Sequence, residues 1–420
     1  GKTYITQLIW AVHNFSNNNK DFDYLEMDDL IRTEFLTTTN ETSTFTLMES
    51  DLINISNNYT LYLSKNIIDH VFNNKMNADF NIFFETTDFL DKEFSDSIHG
   101  PEWMLYIKKE KNSLNFNFEF EDNTLDEEPL SFPFDLINTY IETIVISLML
   151  NENTVFMPST RLFIPSFYKY IYTLENEYKS NALNNLNILN KKNTSIFKSS
   201  YTMPVNDLIK KLILELDNPI QDNQYLRKLV NLIEGDISIT KSEGIGMAEI
   251  SYSNKSGKIL PMYLSSSMVN QLSMLYLYFK YWYQEKGNFL LLDEPEMNLH
   301  PEKKIEIFEQ LLDYASNNKL LIATHSSSIA KSLINYMNLF DLKEKESNLE
   351  SFINENELKM NLDINLKSND IGIYYFNGKT IVSYKDDNQS NIHFGTFTEI
   401  DKLQEKQYEF ILDKLDEYDT

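Results

Sequence analysis

The most informative stretch of this chain is residues 289–301, Phe-Leu-Leu-Leu-Asp-Glu-Pro-Glu-Met-Asn-Leu-His-Pro. An apolar run that ends this way is typical of a strand buried on both faces of a mostly parallel sheet. Asp293 and Glu294 are then expected at the edge of the sheet, where ligands bind in open α/β folds. Two carboxylates on a core strand are costly unless they are neutralised. The pattern therefore indicates either a Mg²⁺ and water site or, as the structural alternative, a strand that ends in a charged turn.

A second apolar run, residues 320–326, ends in a histidine, His325. Between the two runs, residues 303–315 carry apolar side chains at helical spacing. Strand, helix and strand predict one βαβ unit, which brings His325 to the same sheet edge as Glu294. A lone histidine at such an edge is more often structural, but beside Asp293 and Glu294 it is a candidate catalytic residue.

The chain begins with Gly1, Lys2 and Thr3, followed by apolar residues at helical spacing. A phosphate-binding loop ends in Gly-Lys-Thr or Gly-Lys-Ser as it enters a helix, where the lysine reaches the phosphates and the hydroxyl binds Mg²⁺. The tripeptide is a weak signal by itself and gains weight from the Asp-Glu strand. The expectation is a chain truncated within the phosphate-binding motif, with Lys2 and Thr3 displaced from the sheet edge or poorly fixed there.

A serine cluster, Ser265, Ser266 and Ser267, precedes a helical pattern that continues to about Trp282. Consecutive hydroxyls and free amides at a helix start favour an anion site. The structural alternative is an ordinary helix N-cap.

Two phrases within these segments resemble one group of ATPases: Asp-Glu-Pro-Glu-Met-Asn-Leu-His-Pro at 293–301 and Ala-Thr-His-Ser-Ser-Ser-Ile-Ala-Lys-Ser-Leu at 323–333. The chain resembles ATP-binding-cassette (ABC) ATPase heads, most closely the AAA-type bacterial ATPases that are similar to chromosome-maintenance (SMC) proteins. These include the overcoming-lysogenization-defect (OLD) family and related ATPases of phage defence. The resemblance covers about 231–335 and 1–12, and residues 157–161 are similar to the family's Pro-Ala-Glu-Arg-Ser segment.

The resemblance implies an α/β P-loop NTPase of the ABC-ATPase head type. Its fold would be a mainly parallel sheet flanked by helices, with antiparallel strands and a helical insertion. ATP and Mg²⁺ would be the cofactors. Glu294 would polarise the attacking water, His325 would sense the γ-phosphate, and Thr3 and Asp293 would hold the metal. The nucleotide itself would be contacted by Gly1, Lys2, Thr3, Ser265, Ser266 and Ser267.

The resemblance also implies a homodimer or higher oligomer that sandwiches ATP between two heads. The serines would close on the nucleotide of the opposite protomer, and residues 298–300 would occupy the loop that crosses the interface. In the family a glycine follows the signature serines, where this chain has Ser267 or Met268. Because the chain shows no carboxylate cluster typical of a C-terminal nuclease, any nuclease or toxin effector is expected on another chain.

The leading hypothesis is therefore an SMC- and OLD-like ATPase that acts as a nucleotide-driven dimer switch in anti-phage defence or DNA-related sensing. One alternative is the ATPase subunit of an ABC transporter, which shares the fold and the Asp-Glu strand but normally carries a Leu-Ser-Gly-Gly-Gln signature. Another is a catalytically degenerate scaffold. The neighbouring gene would distinguish the first two, and an ATPase assay would distinguish the third.

Composition predicts a folded cytoplasmic protein. The chain has 420 residues, 42% hydrophobic residues and no cysteine, which argues against disorder and against a disulfide framework. No signal peptide or long apolar run is expected. Four segments are predicted: an N-terminal lobe of the head (1–164), a helical insertion or arm (165–230), a C-terminal lobe (231–340), and a linker with closing elements (341–420).

Within these segments the sequence predicts further local elements. They are strands at 81–84 and 115–120, a core helix at 136–150, paired strands at 231–260 with a turn at 254–257, a polar linker at about 341–370, a hairpin at 371–400 and a helix at 401–418.

The strongly acidic character of the chain argues against tight binding to nucleic acid. The formal net charge is −26, with 37 basic and 63 acidic residues. We therefore expect binding to bulk duplex DNA to be weak and to vanish at modest salt, because affinity for phosphates depends on clustered cations. Fluorescence anisotropy across a salt series measures this. Tight binding at about 0.15 M salt would contradict the expectation and move the function toward DNA repair.

Overall fold

The computed structural model describes most of the chain: residues 2–14, 42–66, 72, 81–99, 103–122, 144–150, 153–173, 201–220, 223–241, 248–343, 345, 349–356, 358, 360–376, 381–383 and 406. The chain forms two compact units. Unit 1 comprises Gly1–Thr6, Val155–Leu174 and Leu208–Thr420, and unit 2 comprises Gln7–Thr154 and Glu175–Asp207. The four-segment division predicted from the sequence has different boundaries and stays a prediction.

The strands in chain order are β1 (Thr42–Thr46), β2 (Phe94–His99), β3 (Trp103–Lys109), β4 (Asn115–Asp122), β5 (Asn153–Met157), β6 (Gly235–Lys241), β7 (Ala248–Asn254), β8 (Ile259–Pro261), β9 (Asn288–Asp293), β10 (Lys319–Ala323), β11 (Tyr374–Phe376) and β12 (Ile381–Ser383). The labelled helices are α1 (Lys2–Asn14), α2 (Glu49–Asn66), α3 (Thr86–Leu90), α4 (Met203–Leu214), α5 (Gln224–Ile233), α6 (Ser267–Leu277), α7 (Pro301–Ala315), α8 (Ser327–Lys343) and α9 (Leu349–Glu355). Residues 144–150 and 164–173 are also helical.

The centre of unit 1 is a parallel strand pair. β9 and β10 pair in parallel, with Phe289 opposite Lys319 and Asp293 opposite Ala323, and β5 lies on the other side of β9. Leu290, Leu291 and Leu292 are almost fully buried. Because α7 connects the two parallel strands, the predicted βαβ unit and the α/β fold class are confirmed.

A separate antiparallel sheet of unit 1 has the order β6-β7-β8. The turn between β7 and β8 is closed by a hydrogen bond from the Gly257 amide to the Asn254 carbonyl. Gly257 has a φ of +79°, a backbone conformation that favours glycine. The strands and the turn predicted at 231–260 are therefore confirmed.

Unit 2 contains an antiparallel sheet with the order β1-β4-β3-β2. In β4, Phe116, Phe118 and Phe120 are buried while the residues between them are exposed, so the period of two predicted at 115–120 is confirmed. The strand predicted at 81–84 is wrong. Phe83 is 76% exposed, and the Ile82 amide donates to the Thr60 side chain.

Helices fill most of the other predicted helical regions. Residues 164–173, α4 and α5 fall within or close to 165–230. α6 is extended by a π-helical turn, Tyr278–Trp282, so the predicted end of that helix is confirmed. Residues 144–150 form the described part of the predicted core helix. Among the described residues, no helix combines the length and apolarity required to cross a membrane.

The polar linker predicted at about 341–370 is wrong for its described residues. α9 and the segment after it contribute to a core cluster with α7 and α8, formed by Phe308, Leu312, Ile329, Tyr336, Leu339, Leu349, Ile353, Ile364 and Leu366. The apolar residues that form this packing are widely spaced among polar residues, so the segment resembles a linker in the sequence. The hairpin predicted after it is present as the antiparallel pair β11 and β12, and 401–418 lies outside the described residues apart from position 406.

Two substitutions in α9 test this packing. Ile353 is 5% exposed in the cluster, whereas its neighbour Phe352 is 55% exposed. We expect Ile353→Ala to lower the free energy of unfolding by roughly 2–4 kcal/mol, because it leaves a cavity. Phe352→Ala should change the free energy by less than about 0.5 kcal/mol. Chemical denaturation measures both, and equal effects would show that α9 is not packed as described.

Candidate active site

All the residues of the candidate site that are described lie in unit 1, at the end of the β9–β10 pair. Asp293 is the last residue of β9 and is 3% exposed. Its Oδ2 accepts a hydrogen bond from the Thr3 hydroxyl at 2.7 Å. A carboxylate that is otherwise costly to bury therefore has a partner at the start of α1.

Glu294 follows Asp293 and leaves the strand with a φ of 47°, an unusual value for a residue with a side chain. Its amide donates to the Ala323 carbonyl at 2.7 Å, which extends the parallel ladder by one bond. Its Oε1 lies 3.7 Å from Nε2 of His325, and the two side chains are 31% and 68% exposed, respectively. The structure thus brings Glu294 and His325 together at one sheet edge, as the βαβ unit predicts, while their catalytic roles stay a prediction.

Lys2 also reaches this edge. Its Nζ donates to the Thr324 carbonyl at 2.6 Å. Burial lowers the pKa of Lys2, and the charges of Glu294, Glu296 and Asp293 act in the opposite direction. The expectation that Lys2 and Thr3 are displaced or poorly fixed is wrong, because both side chains are hydrogen-bonded at the ends of β9 and β10. Gly1 lies outside the described residues.

Arg161 is a site residue whose role the sequence did not indicate. It lies in the short 3₁₀ helix Ser159–Phe163 that follows β5 and is 2% exposed. Its guanidinium donates to the carbonyls of Asp293 at 2.7 Å, Glu294 at 3.0 Å and Pro158 at 3.1 Å. Desolvation lowers the pKa of Arg161 to about 10, against the opposing effect of nearby carboxylates. The group therefore remains charged at neutral pH and fixes the backbone on which Glu294 stands.

Two indirect features of the sequence draw attention to Arg161, although neither of them indicates its role. Arginine is rare in this chain, occurring at Arg32, Arg161 and Arg227. Arg161 falls in the segment similar to Pro-Ala-Glu-Arg-Ser. Its partners are backbone carbonyls, which leave no pattern in a sequence.

Glu296 and Thr324 are two further residues at this edge whose roles the sequence does not indicate. Glu296 is 6% exposed, and its Oε1 accepts a short hydrogen bond from the Thr324 hydroxyl. Glu296 Oε2 is buried and has no hydrogen-bond partner within the described part of the chain. Glu296 is thus the third carboxylate of the Asp-Glu-Pro-Glu phrase, and it lies buried beside the other two residues of the site.

The serine cluster makes local hydrogen bonds. Ser266 is the N-cap of α6 and accepts from the Val269 amide, which is the structural alternative considered above. Ser265 donates to the Met262 carbonyl at 2.7 Å and accepts from Asn270 at 2.8 Å. None of the hydrogen bonds described for these serines reaches the edge that carries Glu294. Their role toward a nucleotide stays a prediction.

The side chains at the sheet edge are chemically suited to bind a nucleotide together with Mg²⁺. Among the described residues, no group of three or more acidic or histidine side chains could hold a metal unaided. Mg²⁺ commonly binds one or two carboxylates together with substrate phosphates and water. The Thr3 hydroxyl and the Asp293 carboxylate, which are 2.7 Å apart, are ligand types that match this requirement. The partly desolvated ammonium of Lys2 matches a phosphate.

The parallel strand pair, the helix start with Lys2 and Thr3, and the carboxylates at the end of β9 are typical of a P-loop type of ATPase domain. The family described as "AAA ATPase domain" matches residues 1–330. The chain therefore belongs to the AAA ATPase domain family, which binds nucleotide.

Two solved structures are similar to the chain at low sequence identity. The SMC head domain from Pyrococcus furiosus, which carries an extended coiled coil and is bound to the C-terminal domain of ScpA, has 10% identity and a TM-score of 0.25 over 56% of this chain and 68% of its own. The SMC head domain from Thermotoga maritima has 11% identity and a TM-score of 0.22 over 57% of this chain and 65% of its own. No curated protein matches the chain.

Arg161→Met tests the buried guanidinium. The change keeps much of the side-chain volume but leaves the carbonyls of Pro158, Asp293 and Glu294 without their donor. We expect the free energy of unfolding to fall by about 3 kcal/mol. Arg227→Met, at an exposed position, is the matched control and should cost less than about 1 kcal/mol. Indistinguishable denaturation curves for the two variants would contradict the described contacts.

Proposed function

We propose that this chain binds ATP with Mg²⁺ and hydrolyses it. The observation that carries the proposal is the convergence of Lys2, Thr3, Asp293, Glu294 and His325 at one edge of the parallel strand pair. The Thr3–Asp293 hydrogen bond of 2.7 Å and the Glu294–His325 separation of 3.7 Å are the distances that support it. Membership of the AAA ATPase domain family adds a second, independent line of support.

Each residue has a chemical task in this proposal. Lys2 would exchange its Thr324 carbonyl for a phosphate oxygen, because an ammonium at a helix start binds phosphate well. Thr3 and Asp293 would hold Mg²⁺, which supplies charge neutralisation at the phosphate oxygens. Glu294, about one third exposed, would orient a water for in-line attack on the γ-phosphate. His325 would donate a hydrogen bond to the phosphate end.

The proposal extends to an ATP-dependent dimer of two such heads. The exposed positions of Ser266 and Ser267 at the start of α6 support it, because their side chains are accessible to a second copy. Free amides at a helix start also favour an anion. In this arrangement each site is completed by the partner, so hydrolysis would open the dimer and act as a switch.

We place this switch in anti-phage defence or DNA-related sensing, with a nuclease or toxin effector on a separate chain. The support is the resemblance of residues 293–301 and 323–333 to ATPases of defence systems. Plaque counts on cells that express the chain with and without its neighbouring genes test this role. Protection that needs a neighbouring effector gene supports the proposal, and a neighbouring membrane permease would favour transport instead.

Glu294→Gln is the sharpest test of the hydrolysis. The amide keeps the shape of the side chain but cannot polarise water as a carboxylate does. We expect ATP binding within about threefold of wild type and a fall in turnover of at least about 100-fold. A trapped dimer should appear in size-exclusion chromatography with ATP. Steady-state phosphate release and a fluorescent nucleotide titration measure turnover and binding.

Glu302→Gln is the matched control for this prediction. Glu302 is an exposed carboxylate in the first turn of α7, so the same chemical change there should leave turnover near wild type. Turnover by Glu294→Gln at the wild-type rate would remove Glu294 from the mechanism. A wild-type chain that binds ATP without hydrolysing it would identify the degenerate scaffold instead.

A further inference from the structure

Thr324 connects three segments that meet at the sheet edge. Its carbonyl accepts from Lys2 Nζ at 2.6 Å, and its hydroxyl accepts from the Ser326 amide at 2.9 Å. The same hydroxyl donates to Glu296 Oε1. One residue therefore joins the start of α1, the loop after β9 and the turn that carries His325.

The carboxylate of Glu296 is buried although burial disfavours a charged group. Desolvation of a carboxylate that is 6% exposed is unfavourable, and an apolar residue of similar size would avoid this cost. The compensation comes from the Thr324 hydroxyl and from the charges of Arg161 and Lys2, on both of which Glu296 acts electrostatically. The carboxylate is thus held in place by groups that belong to the site.

The hydrogen bond between Glu296 and Thr324 lies just beyond the end of the β9–β10 pair and next to His325. The β9–β10 register ends with Asp293 opposite Ala323, and the Glu294 amide adds the final backbone bond between the two segments. Beyond that point, the Glu296–Thr324 hydrogen bond is the next described connection between the loops. Thr324 directly precedes His325, whose own side chain is 68% exposed and needs its backbone fixed to face Glu294 reproducibly.

We propose that Glu296 and Thr324 are positioning residues that hold His325 in register with Glu294. The inference rests on the proposed ATP hydrolysis and assigns the third carboxylate of the Asp-Glu-Pro-Glu phrase a role in it. Neither side chain touches the reacting atoms. Their effect is exerted through the backbone of the His325 turn, where a misplacement of about 1 Å can reduce a rate by up to about 100-fold.

Thr324→Val in the full chain is the decisive substitution. Valine is close in shape but lacks the hydroxyl, and the carbonyl that accepts from Lys2 remains. We therefore expect the kcat for ATP to fall about tenfold, with KM within about threefold of wild type. Thr324→Ser keeps the hydroxyl and should restore kcat to within about threefold of wild type. Thr240→Val, on an exposed position of β6, is the matched control and should be unchanged.

A double-mutant cycle separates positioning from general stability. In a His325→Ala background there is no imidazole to position, so adding Thr324→Val should lower kcat by less than about twofold. Glu296→Gln keeps an oxygen that accepts from Thr324 and should stay within about threefold of wild type. Glu296→Ala has no acceptor and should fall about tenfold, like Thr324→Val.

The outcomes distinguish this inference from the proposed function. Phosphate release by the wild type with an unchanged kcat for Thr324→Val overturns the positioning role alone. A tenfold loss that persists in the His325→Ala background also overturns it, because the hydroxyl would then act independently of His325. A wild type without phosphate release overturns the proposed function and the inference together. Non-additive losses with a KM close to wild type support both.

Discussion

The parallel pairing of β9 with β10 is the constraint on which the site depends. Parallel strands that start in register also end together, and here the polar residues lie immediately beyond that shared end. The apolar part of β9 is buried, so the strand cannot slide without exposing leucines or burying charge. Thr3, Lys2 and Arg161 then supply the donors that make the carboxylates and carbonyls at this edge tolerable in a partly desolvated position.

The loops at this sheet edge are held mainly by hydrogen bonds from side chains to backbone carbonyls. Lys2 binds the carbonyl of the residue after β10, and Arg161 binds the carbonyls of the last residue of β9 and of the residue that follows it. Such bonds fix the main chain without occupying the carboxylate of Glu294, whose side chain is about one third exposed. Glu294 adopts a left-handed backbone conformation, which is unfavourable for a side-chain-bearing residue and is sustained by the bonds on both sides of it.

Much of this architecture follows from local patterns in the sequence. The leucines before Asp293, the helical spacing of 303–315 and the apolar run before His325 were sufficient to predict β9, α7 and β10. The alternation of apolar and polar residues in β4 was also sufficient to predict a strand, because the side chains of a strand point to opposite faces in turn. The contributions of Arg161 and Glu296 could not be predicted this way. Glu296 bonds Thr324 and Arg161 bonds Asp293 and Glu294, all distant in the chain. All three hydrogen-bond partners of Arg161 are backbone carbonyls, which every residue possesses.

The errors have physical causes as well. Residues 81–84 have the composition of a strand, but a strand needs a ladder partner, and the Ile82 amide is bound by a side chain instead. Residues 349–366 are mostly polar, so their average hydropathy does not reveal the four residues that are buried in the core: Leu349, Ile353, Ile364 and Leu366. The sequence likewise could not show that Lys2 and Thr3 are held at the edge, since that depends on the tertiary position of α1.

The packing of α9 against α7 and α8 also affects where this domain can be shortened. The family match ends at residue 330, which lies inside α8, Ser327–Lys343. A chain cut there would lose Tyr336, Leu339, Leu349, Ile353, Ile364 and Leu366 from the core and would expose the apolar faces of Phe308 and Leu312 to water. Exposed apolar patches promote self-association. A fragment chosen by the limits of family similarity would therefore aggregate, and the smallest intact form of this unit extends at least through Leu366.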